Sequence, residues 1–416
     1  RHCFTFCGGE VMATPKLRFK EFDKAFSRNT IKELAKIYVG RDLVEDAYSP
    51  IKTETHIYPI YSNSVDNEGL YGYYNFEEFN FDDDALTVVG RGAGLGKAFY
   101  RQGGFGTIGR LLSLTPKDKS FHPKYLSDYI NDKLIIHNES GGIPQLPRSS
   151  LENYEVVLPS YEEQTKIASF LSNVDEKISQ LTQKHELLSQ YKQGMMQKLF
   201  SQQIRFKADD GSEFGEWEEV KFSGIFNFHQ TNSYSRALLA EYGEIMNIHY
   251  GDIHTKFSML FDVNKESVPF LNDEVDTSKI AKEQFLKVGD LVIADASEDY
   301  KDIGKSIEVI SLNNQKVVAG LHTYIARPVK PFALGFCGYM MQTFPVREQI
   351  KKLATGISVL GISKTNLGKV ELKVPSLEEQ TKIANFLSAI DQKIEVVVQQ
   401  IEQAKTWKKG LLQQMF

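Results

Sequence analysis

Cysteine is scarce in this chain: three among 416 residues, two within the first seven positions and the third, Cys337, alone. That excludes a disulfide framework and suits the reducing cytoplasm. His2, Cys3 and Cys7 follow no zinc-ligand spacing, so no metal site is expected. No apolar run approaches the roughly 18 residues of a membrane span, and none follows a basic start as a secretory signal would. Excess positive charge is also missing. Against 49 Lys and Arg stand 54 Asp and Glu, a net charge of −5, which argues against gripping nucleic acid by bulk charge alone. Catalytic signatures are absent as well: there is no Asn/Asp-Pro-Pro-Tyr/Phe motif, no Walker A loop and no nuclease cluster.

What is present is a repeat. "PSYEEQTKIASFLSNVDEKI" begins at Pro159 and "PSLEEQTKIANFLSAIDQKI" at Pro375, 216 positions later. Over Pro159–Phe200 and Pro375–Phe416, 21 of 42 positions are identical, so one segment duplicates the other. Each copy reads as a helix. Ser160 with Glu163, and Ser376 with Glu379, fit a capping box in which the hydroxyl takes an orphan N–H and the carboxylate reaches back. Glu162 and Glu378 add negative charge at the positive end of the helix dipole.

Beyond the caps, apolar residues recur in steps of three and four. One seam runs Leu171, Val174, Ile178, Leu181, His185, Leu188, Lys192, Met195, Leu199, and the other Leu387, Ile390, Ile394, Val397, Ile401, Ala404, Lys408, Leu411, Met415. This is the pattern of a coiled coil, and two matching seams in one chain predict antiparallel pairing. His185, Lys192 and Lys408 are polar breaks of the kind that fix register or mark fraying. Gly194 and Gly410 follow the lysines and predict a bend in the last turns.

The expected fold class is α+β: two globular domains joined by two long helices in an antiparallel coiled coil, with a pseudo-twofold relation. The predicted boundaries are 1–14, 15–157, 158–206, 207–373 and 374–416. Met12 is the first plausible start, and the Gly-Gly-Glu before it is encodable by a ribosome-binding sequence. Residues 1–11 therefore read as a translated leader. The repeat extends upstream, where "PRSSL" (147–151) aligns with "SKTNL" (363–367) and "KLRFK" (16–20) echoes "QIRFK" (203–207). Between these ends the two domains diverge, which suggests one frame holding two different readers.

The first domain reads as short strands with Gly-rich turns, flanked by a helix near Pro123–Lys133. "GRGAGLGKA" (90–98) fails as a phosphate loop in spacing, and "GFGTIG" (104–109) lacks the helix a dinucleotide site needs. Close backbone approach to a bulky partner is the alternative use of these glycines. Residues 41–89 carry two basic and eleven acidic residues, whereas 90–150 carry nine basic and four acidic. A mixed solvated surface and a binding face both fit that contrast. In the second domain "VGDLVIA" reads as a buried strand among loops rich in His, Ser, Thr, Lys and Asp. Such loops suit base-edge and phosphate contacts, and equally a protein or small-molecule surface.

Taken together, "LPSYEEQTKIASFL", "VPSLEEQTKIANFL", "GRGAGLGKAFY", "YGDIHTKF", "GLHTYIARP" and "SVLGISKTNL" resemble the specificity subunit of bacterial Type I restriction–modification systems, from Lys16 to Phe416. The resemblance implies two target-recognition domains that each read half of a bipartite site in double-stranded DNA, with the helical pair as a ruler that docks methyltransferase subunits. It implies a non-catalytic chain, with S-adenosylmethionine, ATP and Mg on partner methyltransferase and restriction subunits. Those partners would supply charge that this chain lacks. The candidate DNA contacts are Tyr61, Ser62, Asn63, Arg91, Lys97, Arg101 and Arg148 in the first domain. In the second they are Tyr250, Asp252, His254, Lys256, Ser297, His322, Thr323 and Lys364. For each, an ordinary surface or turn role is the alternative. Glu162, Gln164, Lys166, Glu378, Gln380 and Lys382, kept by duplication, read as framework or docking residues. Two other functions compete: a coiled-coil scaffold whose ends bind proteins, and an orphan DNA methyltransferase or nuclease, which the missing motifs oppose.

Overall fold

Each "PS-x-EEQ" stretch starts a helix. Ser160 Oγ accepts from the Glu163 N–H and Ser376 Oγ from the Glu379 N–H, both at 3.4 Å. A single helix follows each cap: the central helix, Tyr161–Phe200, and the C-terminal helix, Leu377–Met415. At about 1.5 Å per residue each is about 60 Å long. Two expectations need correction. The Glu163 and Glu379 carboxylates do not reach back to the caps but accept from arginines described below. Both helices also run unbroken through Gly194 and Gly410, because Leu199, Leu411 and Met415 beyond the glycines are buried and hold those turns in place.

The computed structural model describes residues 15–79, 84–138 and 141–416. Residues 1–14, with the expected leader 1–11 and His2, Cys3 and Cys7, lie outside the described residues. Contacts divide the chain into two units, one holding residues up to Thr182 with Gln399–Phe416, the other Gln183–Val398.

In the first unit a four-stranded antiparallel sheet runs in the order Ala35–Val39, Leu112–Pro116, Ala85–Val88, Ala98–Arg101. The helix expected near Pro123–Lys133 has those bounds and opens on its proline, where no N–H is needed. Sheet residues Leu86, Val88 and Leu114 share one core with Tyr125 and Leu126 of that helix. Leu171 and Val174 of the central helix and Leu411 and Met415 of the C-terminal helix complete it. Here the two helix stretches meet: Asp175 pairs with Lys408, and the rings of Phe170 and Trp407 lie edge-on 6.0 Å apart. A second sheet, Tyr48–Ser49, Leu70–Tyr74, Tyr58–Tyr61, Gly106–Thr107, has its own small core of Ala47, Ile60, Tyr74 and Ile108.

The second unit is built on a five-stranded sheet in the order Phe226–His229, Thr323–Pro328, Leu291–Ala294, Ser306–Ser311, Leu260–Asp262. Leu291–Ala294, from "VGDLVIA", is its buried centre. Helix Phe336–Met341 packs between this sheet and the long helices, placing Phe336 and Tyr339 in one core with Leu199, Ile383 and Leu387. A four-stranded sheet runs Leu239–Ala240, Phe270–Leu271, Ile245–Ile248, Lys316–Ala319. The shared frame is visible in each unit separately. Ser27–Thr30 pairs antiparallel with Glu155–Leu158 just before the central helix, and Glu218–Lys221 pairs likewise with Glu371–Val374 just before the C-terminal helix.

Candidate nucleic-acid interface

The echo between "KLRFK" and "QIRFK" has a physical meaning. Arg18 donates two hydrogen bonds to Glu163, from Nε and Nη2, each 2.7 Å. Arg205 donates in the same way to Glu379, at 3.0 and 2.7 Å. Both carboxylates are 1% exposed, and a buried carboxylate requires such a partner. The hydrogen bond to Glu163 holds the Arg18 guanidinium above its usual range, and Glu379 does the same for Arg205. Phe19 packs edge-on against Phe170, and Phe206 against Phe386. Each globular domain is thereby pinned to the start of its own helix.

The framework candidates fall into place around these clamps. Buried Gln164 accepts from the His122 N–H and donates to the Pro159 carbonyl, both at 2.9 Å. Buried Gln380 accepts from the Ala333 N–H at 3.1 Å and donates to the Pro375 carbonyl at 2.9 Å. Lys166 pairs with Glu21 and Lys382 with Asp209. Glu162 and Glu378 are exposed.

In the second unit several candidate contacts converge. The Tyr250 ring lies 5.4 Å from that of His322 and 6.0 Å from that of His254. His322, half-exposed, sits with its Nδ1 3.1 Å from Asp295 Oδ1. His322 also has φ +56, a left-handed backbone conformation uncommon for any residue but glycine. His254 Nε2 lies 3.0 Å from the Ala296 carbonyl. Lys364 is exposed, with its ammonium 5.2 Å from the Tyr324 ring. An open cavity of about 500 Å³ adjoins them, lined by Asn232, Tyr234, Asp295, His322 and Tyr324 among others. Three candidates are structural instead. Ser297 is buried, its hydroxyl donating to the Asp299 carbonyl, and Thr323 is buried, donating to the Gly320 carbonyl. Asp252 is buried and pairs with Arg236 and with exposed Lys256, at 3.0 and 3.1 Å.

In the first unit Asn63 accepts from the Gly90 N–H and donates to the Gly109 carbonyl, tying the two Gly-rich stretches together. Ser62 donates to the Gly69 carbonyl. Arg101 is 4% exposed, lies 3.6 Å over the Tyr61 ring, and donates to Thr87 and to the Glu68 carbonyl. Burial pushes its guanidinium below the usual range and the Tyr61 hydroxyl above it. Arg101 is therefore a core cation rather than a DNA contact. Arg91, Lys97 and Arg148 are exposed, Arg148 beside Glu152 at 2.7 Å. The Gly-rich stretches approach the chain's own side chains: a Cβ at Gly94 would stand 2.2 Å from Val65, and one at Gly106 2.9 Å from the Tyr74 ring. Among the described residues no group of three His, Cys, Asp or Glu is arranged to hold a metal, and no helix is long and apolar enough to cross a membrane.

Two stretches, residues 25–190 and 215–406, match the family model of the Type I restriction modification DNA specificity domain. The chain belongs to the Type I specificity family.

Among curated members, the type I restriction enzyme MjaVIII specificity subunit of Methanocaldococcus jannaschii is 26% identical over 351 residues, 81% of this chain and 79% of the relative. A putative type I specificity subunit of Mycoplasma pneumoniae is 31% identical over 165 residues, 39% of this chain and 43% of the relative. The crystal structure of a Type I restriction–modification S subunit from M. genitalium superposes with TM-score 0.64 at 16% identity, covering 97% of this chain and 99% of that one, which shows a common fold. As a specificity subunit the chain recognises DNA sequence. The residues of this specificity subunit that sequence reasoning passed over are Glu163 and Glu379 as clamp anchors, Arg18 and Arg205 as their partners, and Asp295 beside His322. The first four had a signal, since an arginine and a glutamate each recur at corresponding places in the two halves. Asp295 had none, because it is brought to His322 only by the pairing of strands Leu291–Ala294 and Thr323–Pro328.

Proposed function

We propose that this specificity subunit reads a bipartite DNA site, one half with each globular domain. In this reading the two long helices form one antiparallel coiled coil that sets the spacing and docks two methyltransferase subunits. The observation that carries it is the repetition of one frame around two unlike interiors. Arginine clamp, buried glutamine and seam ion pair recur in both units, whereas the sequences between these repeated ends diverge. A scaffold that binds one protein twice would have kept the interiors alike. Exposed Arg91, Lys97, Arg148, Lys256 and Lys364 would meet phosphates, and Tyr250, His254 and His322 base edges. Methyl transfer and cleavage, with S-adenosylmethionine, ATP and Mg, fall to partner subunits. The test is binding by the purified complex with its methyltransferase subunits to duplexes in which each half-site is scrambled in turn. Either change should cost about 1–3 kcal/mol for each base pair altered. Equal affinity for both scrambled duplexes and the intact one would remove the proposal.

A further inference from the structure

Asp252 is buried, and the cations that neutralise it reach in from the surface: Arg236 Nη2 at 3.0 Å and Lys256 Nζ at 3.1 Å, both to Oδ1. Its other oxygen, Oδ2, is buried with no partner among the described residues. An under-satisfied carboxylate out of water holds its cations tightly. Lys256 alone would supply the countercharge. Arg236 does more than that requires, because its side chain stays 52% exposed. Its side-chain polar contacts among the described residues both run through Nη2, to Asp252 and to His249 Nδ1 at 3.3 Å. Nε and Nη1 keep their N–H groups for another partner.

The arginine is fixed from both sides. Its backbone opens the short turn Arg236–Leu238, and the flanking Tyr234 and Leu238 pack against the small core of Ile245, Leu271 and Val318. Facing it, helix Tyr250–Thr255 carries Asp252. His249 Nδ1, just before that helix, also accepts from the Gly251 N–H at 3.2 Å, so the ring hydrogen sits on Nε2. Burial, and after it the Arg236 charge, push the His249 imidazole below its ordinary range and keep it neutral. The His249 ring lies 4.6 Å from that of Tyr250, which lies 5.4 Å from that of His322. Arg236 therefore borders the surface assigned above to base edges.

A guanidinium held from behind by a buried carboxylate, with N–H groups to spare, matches the paired acceptors O6 and N7 of guanine. Phosphate fits it less well. Asp252 offsets the arginine's charge and repels an incoming anion, whereas a neutral base edge meets no such repulsion. Holding the side chain in place beforehand also lowers the ordering cost of the contact. We propose that Arg236 reads a guanine in the half-site of the second domain, with Asp252 as its positioning residue. This deepens, and rests on, the DNA-reading function proposed above.

The test uses the complex with its methyltransferase subunits and duplexes of its own methylated motif. Each guanine in turn is replaced by 7-deazaguanine, which lacks the N7 acceptor. Wild type should lose about tenfold in affinity at one guanine of the half-site read by the second domain. In Arg236→Ala that replacement should cost nothing further, while the other half-site keeps its full preference. Asp252→Asn should lower the preference at the same guanine and at no other, and should have no effect on it once Arg236 is alanine. Lys256 still pairs with Asp252 in Arg236→Ala, so an unchanged unfolding midpoint is expected. The wild-type chain alone decides if a variant fails to fold: preference for the motif with tolerance of 7-deazaguanine throughout that half-site overturns the arginine contact and leaves half-site reading intact. Uniform weakening by Arg236→Ala with the guanine effect unchanged would assign the side chain to phosphate and also overturn it. An unaltered guanine preference in Asp252→Asn would overturn the positioning role. Absence of any sequence preference in the wild-type complex would remove the DNA-reading function itself.

Discussion

Lys192 Nζ lies 2.5 Å from Asp391 Oδ1, and the same pair recurs 216 positions away with the helices exchanged: Lys408 Nζ lies 2.5 Å from Asp175 Oδ1. Each lysine interrupts an apolar seam. Each aspartate has a second partner in its own recognition domain, Tyr339 Oη at 2.7 Å from Asp391 and Lys124 Nζ at 3.2 Å from Asp175. One carboxylate therefore fixes both the helix register and the seating of the domain.

Reversing one charge tests this. Lys192→Glu is expected to destabilise the second unit by about 1–2 kcal/mol, and Asp391→Lys added to it should recover about 1 kcal/mol, as partly exposed pairs do. Urea unfolding of the two single variants and the double gives the coupling. Additive losses would deny the pair a role in register.

Removing either clamp should cost more, because it strands a buried charge. Arg205→Ala leaves Glu379 with the Trp217 Nε1–H donor at 3.1 Å and should destabilise by about 3 kcal/mol or more. Arg205→Lys should rescue poorly, since an ammonium cannot replace the two-pronged contact. Arg18→Ala should act equivalently on the first unit. Denaturation curves showing less than about 1 kcal/mol loss would contradict the clamp.

The frame was largely legible in the sequence and the recognition surface was not. Capping serines, seam spacing and duplicated glutamines are local or periodic signals, and the helices start where Ser160 and Ser376 place them. The arginine clamps were visible as echoes, but their partners lay 145 and 174 positions away. The base-reading surface depends on loops brought together by strand pairing. Chemistry alone therefore placed Arg101, Asp252 and Thr323 at the surface, although each is buried with internal partners. Residue type does not distinguish a phosphate-binding arginine from one stacked over Tyr61.

Glu308 gives a pH signature. Burial pushes its carboxyl up to about 7, against backbone N–H groups of Gly335, Cys337 and Gly338 that pull it down. A carboxyl whose folded pKa exceeds its ordinary 4.5 binds its proton more tightly when folded. Its contribution to stability is therefore greatest at the acid end and is lost as pH rises toward about 7. Stability of wild type relative to Glu308→Gln should fall between pH 5 and pH 8. A difference that stays flat across that range would place the titration elsewhere.

On DNA, Lys364→Ala should weaken binding to all sequences alike and lower the salt slope by about one. His322→Ala should relax specificity in one half-site, by about 1–3 kcal/mol at the base it reads. Competition binding against singly substituted duplexes at two salt concentrations separates the two effects. Equal behaviour of both variants would count against the division into phosphate and base contacts.

The most direct test of two readers on one frame is genome-wide methylation mapping in cells whose only specificity subunit is this chain, with residues 15–157 either native or exchanged for those of another family member. The account predicts a bipartite methylated motif in which one half changes while the other half and the spacer stay the same. Simultaneous change of both halves, or of the spacer, would contradict it.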